Sequence, residues 1–259
     1  MYEKRCGSRF DGPRHLRKSA VAVLVTSGLL LAGWGAALAD QTQPTLTTPQ
    51  VSGAPPADQQ RNFAARVLGH AEHVGSEVFQ QMGKTYRPPK LILFHGETAS
   101  ACGLIRAATG PFYCAGNHSI YLERNFFQEL SDRYGASGDF ARAFVIAQQV
   151  GDHVQNQLGL VDEIQRKTAG ASERVRNEVS VRQEPQADSL AGVWGNSAAR
   201  RGLIDASDVE SGIATAKAMG DDRMQQRAKG SAVSETFTHG SSEQRARWFK
   251  IGLDPACER

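Results

Sequence analysis

Apolar residues recur along this chain at two spacings, and each predicts an element. From Asp58 to Met82 the positions Phe63, Val67, Ala71, Val74, Val78 and Met82 fall three or four apart. That is one buried helix face, with Asp58 placed to cap it. Pro88 and Pro89 end the helical run. Leu91 to Phe94 then reads as a short buried strand. Phe112 to Cys114 and Ser119 to Leu122 read as two more, joined by a turn at Gly116-Asn117. Phe126 to Tyr134 has helical composition. After it, Phe140, Phe144, Ala147, Gly151, Val154 and Leu158 mark the core face of a helix that Asp139 opens and Gly159 closes. Gln148, Asp152 and Gln155 form a polar stripe beside that face.

The C-terminal third is less periodic. Asp162 to Glu178 is charged and weakly apolar, which predicts a surface excursion. Val179 to Ala199 is helical in pattern, and Pro185 is expected to start a new helix there or kink one. Asp208 is placed to cap a helix reaching Met219, and Asp221 to Gly230 is polar. Ser241 to Gln244 has the form of a capping box, opening a helix that carries Arg247, Trp248 and Phe249. A small sheet inside a mostly helical body predicts an α+β domain. No internal repeat is visible.

Residues 20–39 break with this pattern, because they are predominantly apolar and carry no charge. A basic stretch precedes them (Lys4, Arg5, Arg9, Arg14, Arg17, Lys18), and Ala37-Leu38-Ala39 has the small-x-small form of a cleavage site. A cleaved signal peptide fits that order of residues. An uncleaved membrane anchor fits the length, since about 20 apolar residues span a bilayer. Both readings leave residues 1–19 in the cytoplasm and carry the rest to the periplasm, where the chain is either secreted or held at the membrane by this segment. Residues 40–57, rich in Thr, Gln and Pro, read as a linker, and residues 58–259 as the folded body.

Export changes the meaning of the cysteines. Cys102 and Cys114 flank turn-forming residues in a compartment that permits disulfides, which predicts a local bridge and leaves Cys257 odd. The absence of any CxxC pair argues against a thiolate zinc site. A net charge of +3 with no basic stripe among aromatics gives no support to nucleic-acid binding. His70 and His73 lie three apart on the first helix; we read them as solvated rather than as paired ligands.

Several stretches, in a fixed order, resemble one family. They are Cys102-Gly103, Gly110-Pro111-Phe112-Tyr113-Cys114, Ile120-Tyr121-Leu122, Gly138-Asp139-Phe140-Ala141 and Val145-Ile146-Ala147, with Val150-Gly151 and His153-Val154-Gln155. Gln186-Ala187-Asp188, Ala191-Gly192-Val193-Trp194, Phe237 to Arg245 and Trp248-Phe249 complete the set. Together they resemble the bacterial neutral zinc metallopeptidases, single-span proteins with a periplasmic zincin-like domain, across most of the chain from about residue 60 onward.

The resemblance implies a His-Glu-x-x-His motif on the helix around Gln148. Residues four apart share a helix face, so two imidazoles reach one Zn²⁺ while the Glu acts as base toward bound water. Carried onto this chain, the first His is Gln148, the Glu is Gln149 and the second His is Asp152, so all three are replaced. His153 matches an adjacent family histidine that points about 100° away and is not a ligand. A downstream Glu-x-x-x-Asp segment, implied to supply the carboxylate ligand, survives as Glu184 and Asp188. Within and after it the resemblance implies that Pro185 replaces a Leu and Ser189 a Cys; the odd cysteine count then suggests that the lost Cys is the partner of the position of Cys257.

A Gln amide is a weak zinc donor and cannot serve as a base at physiological pH. The expectation is therefore a catalytically silent, zincin-like protein without bound zinc. Asp152 and Glu184 remain as residual ligands better suited to a loosely held hard cation such as Ca²⁺. Asp188 is expected to cap or pair, and His239 to hold the turn before the last helix or to face the substrate cleft. The silent protein would bind a peptide or protein partner. Two alternatives stay open: an active peptidase recruiting metal through Asp152, Glu184 and His153 after rearrangement, and a structural envelope protein with no ligand.

Overall fold

The computed structural model describes residues 57–107 and 110–254. The N-terminal segment at 20–39 and Cys257 lie outside the described residues. Helix α1 (Ala57–Gln81) leads to strand β1 (Lys90–Phe94), a hairpin of β2 (Glu97–Ser100) and β3 (Gly103–Arg106), then β4 (Phe112–Cys114) and β5 (Ser119–Glu123). Helices follow: α2 (Phe126–Tyr134), α3 (Asp139–Gln157), α4 (Leu160–Thr168), α5 (Glu173–Arg200), α6 (Ala206–Ala218), α7 (Asp221–Lys229) and α8 (Ser242–Leu253). The mix is α+β, as the pattern predicts. No helix among the described residues is long and apolar enough to cross a membrane.

Strand β5 is central in a three-stranded sheet of order β1-β5-β4. It pairs parallel with β1 (Leu91 opposite Ile120) and antiparallel with β4 (Tyr113 opposite Ile120). Every residue of β5 is buried, as expected of a strand covered on both faces. The hairpin β2–β3 is a separate two-stranded sheet. A disulfide from Cys102 to Cys114, with sulfurs 2.06 Å apart, ties its turn to the end of β4. This is the predicted local bridge.

Helix α3 lies at the centre of the core. Phe140, Phe144, Ile146 and Ala147 pack there with Phe63 and Val67 of α1, Ile120 and Leu122 of β5, Trp194 of α5 and Phe249 of α8. Small residues bring these helices close. A Cβ placed on Gly252 would lie 1.8 Å from the Ser189 carbonyl oxygen, and one on Gly192 2.2 Å from that of Phe249. At Gly151 it would lie 2.8 Å from the carbonyl oxygen of Ala187. The last approach presses α5 onto α3 beside Asp152, which carries Glu184 and Asp188 to the polar side of α3.

Several boundaries differ from the sequence expectation. Gly138, not Asp139, precedes α3, and Asp139 instead pairs with Arg142 at 3.6 Å. Asp205 caps α6, while Asp208 closes the capping box from its third position. Asp58 sits in the first turn of α1 rather than before it. The surface excursion is replaced by α4 and the first turns of α5, and α5 runs through Pro185 as one helix. Side-chain bonds tie the first half of α5 to the segment ahead of α8. Asn177 donates to the Glu235 carbonyl at 3.3 Å and Ser180 to that of Thr238 at 2.7 Å.

Candidate metal centre

The polar stripe of α3 is not a solvated face. Gln148 is 3% exposed, Gln149 6% and Gln155 0%. Burial of this kind is tolerated only with hydrogen-bond partners, so the partners define the site. Gln148 Nε2 donates to Glu184 Oε2 at 3.3 Å, which fixes the orientation of its amide. The other end, Gln148 Oε1, accepts from Gln149 Nε2. Gln149 Oε1 is buried with no protein donor. Gln155 bridges α3 to α5, donating to the Gln183 carbonyl and to Gln186 Oε1, both at 3.0 Å.

This donor set does not fit zinc. The one atom of Gln148 able to bind a metal, its carbonyl oxygen, is taken by a neighbouring amide. Its nitrogen points at the carboxylate expected to be a ligand. Neither Gln148 nor Asp152 offers an imidazole. Among the described residues no group of three or more His, Cys, Asp and Glu is disposed to hold a metal ion.

Asp152 faces acidic company. Burial raises its pKa well above the ordinary carboxylate range, and the charges of Glu184 and then Asp188 raise it further, against a smaller opposing pull from Arg245. Asp188, fully buried, is held by Arg245 in a two-pronged ion pair, Oδ1 to Nη2 at 2.8 Å and Oδ2 to Nε at 3.0 Å. Burial pushes Asp188 up to about 6 while the guanidinium pulls it back. At neutral pH the pair remains charged. Arg245 also donates to the Met219 carbonyl at 3.1 Å, so it ties α8 to α5 and to the end of α6. Asp188 thus pairs, as expected. Its cation was absent from the sequence reading, although a lone Arg beside a capping box offers little to distinguish it.

His239 holds the turn ahead of α8. Its partner, Asp221 at the start of α7, accepts at Oδ2 from the backbone N–H groups of Thr238 (2.7 Å), His239 (2.6 Å) and Gly240 (3.1 Å). Asp221 Oδ1 lies 3.3 Å from the imidazole Nδ1. The hydrogen bond to Asp221 raises the His239 pKa against the opposing effect of burial. The ring is half exposed.

His153 faces away from these groups. Its ring is fully buried, with Nε2 2.6 Å from the Arg87 carbonyl and Nδ1 2.9 Å from the Tyr113 hydroxyl. A carbonyl can only accept, so Nε2 carries the hydrogen and Nδ1 accepts from Tyr113. Burial lowers its pKa, consistent with a neutral ring. Both nitrogens are committed, and rearrangement toward Glu184 would break two buried bonds. His70 corrects another expectation. Its ring nitrogens are buried without a protein partner against Trp194, with ring centres 5.8 Å apart, and burial brings its pKa down to about 4. His73 alone is solvated, 3.1 Å from Glu77.

Comparison with known proteins agrees with the residue pattern. A family model described as "Putative neutral zinc metallopeptidase" matches residues 20–257. The "Uncharacterized protein YpfJ" of Escherichia coli K12 is 41% identical over 201 residues, covering 78% of this chain and 70% of that protein. The "Uncharacterized protein Rv2575" of Mycobacterium tuberculosis H37Rv is 36% identical over 207 residues, covering 76% and 69%. No solved structure shows a significant match.

Proposed function

This chain belongs to the neutral zinc metallopeptidase family, and on that premise we propose that it is a catalytically silent member, exposed to the periplasm, that binds a peptide or protein partner without cutting it. One observation carries the reading. The three family positions for metal and base hold Gln148, Gln149 and Asp152, and the two amides are bonded to each other and to Glu184 rather than left open to a metal. Gln149 cannot take a proton from water, and a general base is worth a factor of roughly 10²–10⁴ on its own. Loss of a metal-activated water removes more. Export is supported by the basic-then-apolar N-terminal pattern and by the Cys102–Cys114 bridge, which suits an oxidising compartment.

The test is metal content together with cleavage. The purified full-length chain is expected to carry zinc far below one equivalent and to leave casein uncut, with or without chelator. The variant Gln148→His/Gln149→Glu/Asp152→His is expected to take up zinc. Stoichiometric zinc in the natural chain, with chelator-sensitive cleavage, would overturn the reading. Failure to capture any ligand from an unstructured peptide library would leave the structural-protein alternative in its place.

A further inference from the structure

The His153 side of α3 carries a second feature, independent of the degenerate motif. A cleft of about 580 Å³ opens there, lined by Arg87, Lys90, His118, Asn156 and Gln157 among others. That volume falls in the usual range for small-ligand sites, roughly 300–1,000 Å³. None of Gln148, Gln149, Asp152 or Glu184 lines it.

The charge of the lining is one-sided. Arg87 and Lys90 are exposed cations, neither is paired with a carboxylate among the described residues, and no Asp or Glu lines the cleft. The carbonyl end of α3 opposes an anion here with about half a unit of negative charge. Two full cations outweigh it.

The cleft is also built. The backbone of Arg87 is clasped by Gln157, which accepts from its N–H and donates to its carbonyl, both at 2.9 Å. His153 donates to the same carbonyl. Three bonds from α3 thus fix the point from which the guanidinium projects. His118 is held just as firmly. Its backbone adopts φ = 53°, unusual for a residue with a side chain, and its carbonyl accepts from Lys90 N–H at 3.0 Å. Asn156 Nδ2 reaches the Ala115 carbonyl, which fixes it as the donor nitrogen, and lies 3.2 Å from His118 Nδ1. Nδ1 also lies 3.3 Å from the Tyr113 hydroxyl, whose proton goes to His153; with Asn156 donating, we assign Nδ1 as the acceptor and Nε2–H as the donor that the exposed ring presents.

We propose that this cleft is a binding site for a small oxyanion group, a carboxylate or a phosphate, gripped by Arg87 and Lys90 and oriented by His118 Nε2–H. The forked guanidinium and a compact ammonium are the donors such groups require.

Calorimetric titration of the full-length chain in detergent at low salt, with sodium succinate and separately with sodium phosphate, tests it. We expect one saturable site for at least one of them, and the tighter probe identifies the head group. Arg87→Ala and Lys90→Ala should each weaken binding about tenfold, the loss expected for one charge-assisted hydrogen bond. His118→Gly tolerates the backbone angle and should weaken it less. The clasp on Arg87 is to its backbone, so these variants should melt where the natural chain melts. Absence of saturable heat with both probes would overturn the proposal, and so would binding that survives in Arg87→Ala/Lys90→Ala.

Discussion

Asp152 and His153 are neighbours in sequence, yet they belong to two polar faces of α3 with opposite qualities. On the His153 face, both ring nitrogens of His153 and the Tyr113 hydroxyl are bonded among Tyr113, Arg87, Asn156 and Gln157, while the Tyr86 hydroxyl against the ring stays unpartnered and Gln157 Nε2 crowds His153 Nε2 at 2.7 Å. On the Gln148 face, one amide oxygen has no protein donor and Asp152 is pushed toward its neutral form. A satisfied buried network rigidifies, whereas a half-satisfied one costs stability. The two faces show where a buried polar group is bound into the fold and where it is left partly unmatched.

The largest effect should come from removing the cation that balances the acidic side. Arg245→Met leaves Asp188 buried without its ion-pair partner, close to Asp152 and Glu184. Breaking such a pair costs about 3–5 kcal/mol. Urea unfolding should show that loss at neutral pH. A loss under about 1 kcal/mol would mean that Asp188 is not charged in the native chain.

Next in size is His153→Leu. Tyr113 then keeps Asn156 as a donor but loses its nearer acceptor, leaving only His118 Nδ1 at 3.3 Å, and the Arg87 carbonyl keeps only Gln157. We expect a loss of about 2 kcal/mol by urea unfolding, typical of leaving one buried donor unmatched. An unchanged midpoint would remove the contrast between the faces.

Asp152→Asn should act in the other direction. The folded pKa of Asp152 is raised. Between the unfolded value near 3.9 and the folded value, the unfolded chain therefore releases a proton that the native chain keeps. Native stability falls as pH rises through that window. Asn removes the cost, so the variant should be more stable by about 1 kcal/mol at pH 8, with the gain fading toward pH 4. Thermal unfolding at the two pH values measures this. A gain that is equal at both would assign the effect to packing instead.

Much of this architecture can be read from the chain, and the remainder fails for identifiable reasons. Spacing alone finds α3, and the Ser241–Gln244 capping box finds α8, because local chemistry and burial agree there. The helix through Pro185 is not legible, since its Asn177 and Ser180 bond a segment 58 positions away. The hairpin β2–β3 has four-residue strands with no sustained alternation. Helix α4 reads as a solvated charge run, and its Glu163–Lys167 pair at i,i+4 is the only local hint. At the site, Gln148, Gln149 and Asp152 stand out in the sequence only by resemblance. Their burial is not legible, because polar residues beside an apolar stripe ordinarily face water. His118 had a signal in the Gly116-Asn117 turn before it, whereas Arg245 and Asp221 acquire their partners only through the fold.

The smallest expected change is the most discriminating. Gln149→Met deletes the unpartnered Oε1, which should help. It also deletes the Nε2 that serves Gln148 Oε1, which should hurt by a similar amount. Each contribution is about 1 kcal/mol, so the net should fall within about 0.5 kcal/mol of zero. On the other face a polar-to-apolar change at His153 has no such cancellation, because it takes a partner from both Tyr113 and the Arg87 carbonyl and removes no unmatched atom in return. Urea unfolding of Gln149→Met, read beside His153→Leu, therefore measures the difference between the faces directly. A loss of about 2 kcal/mol at Gln149 would mean that its oxygen does find a donor and that the Gln148 face is as well matched as the other.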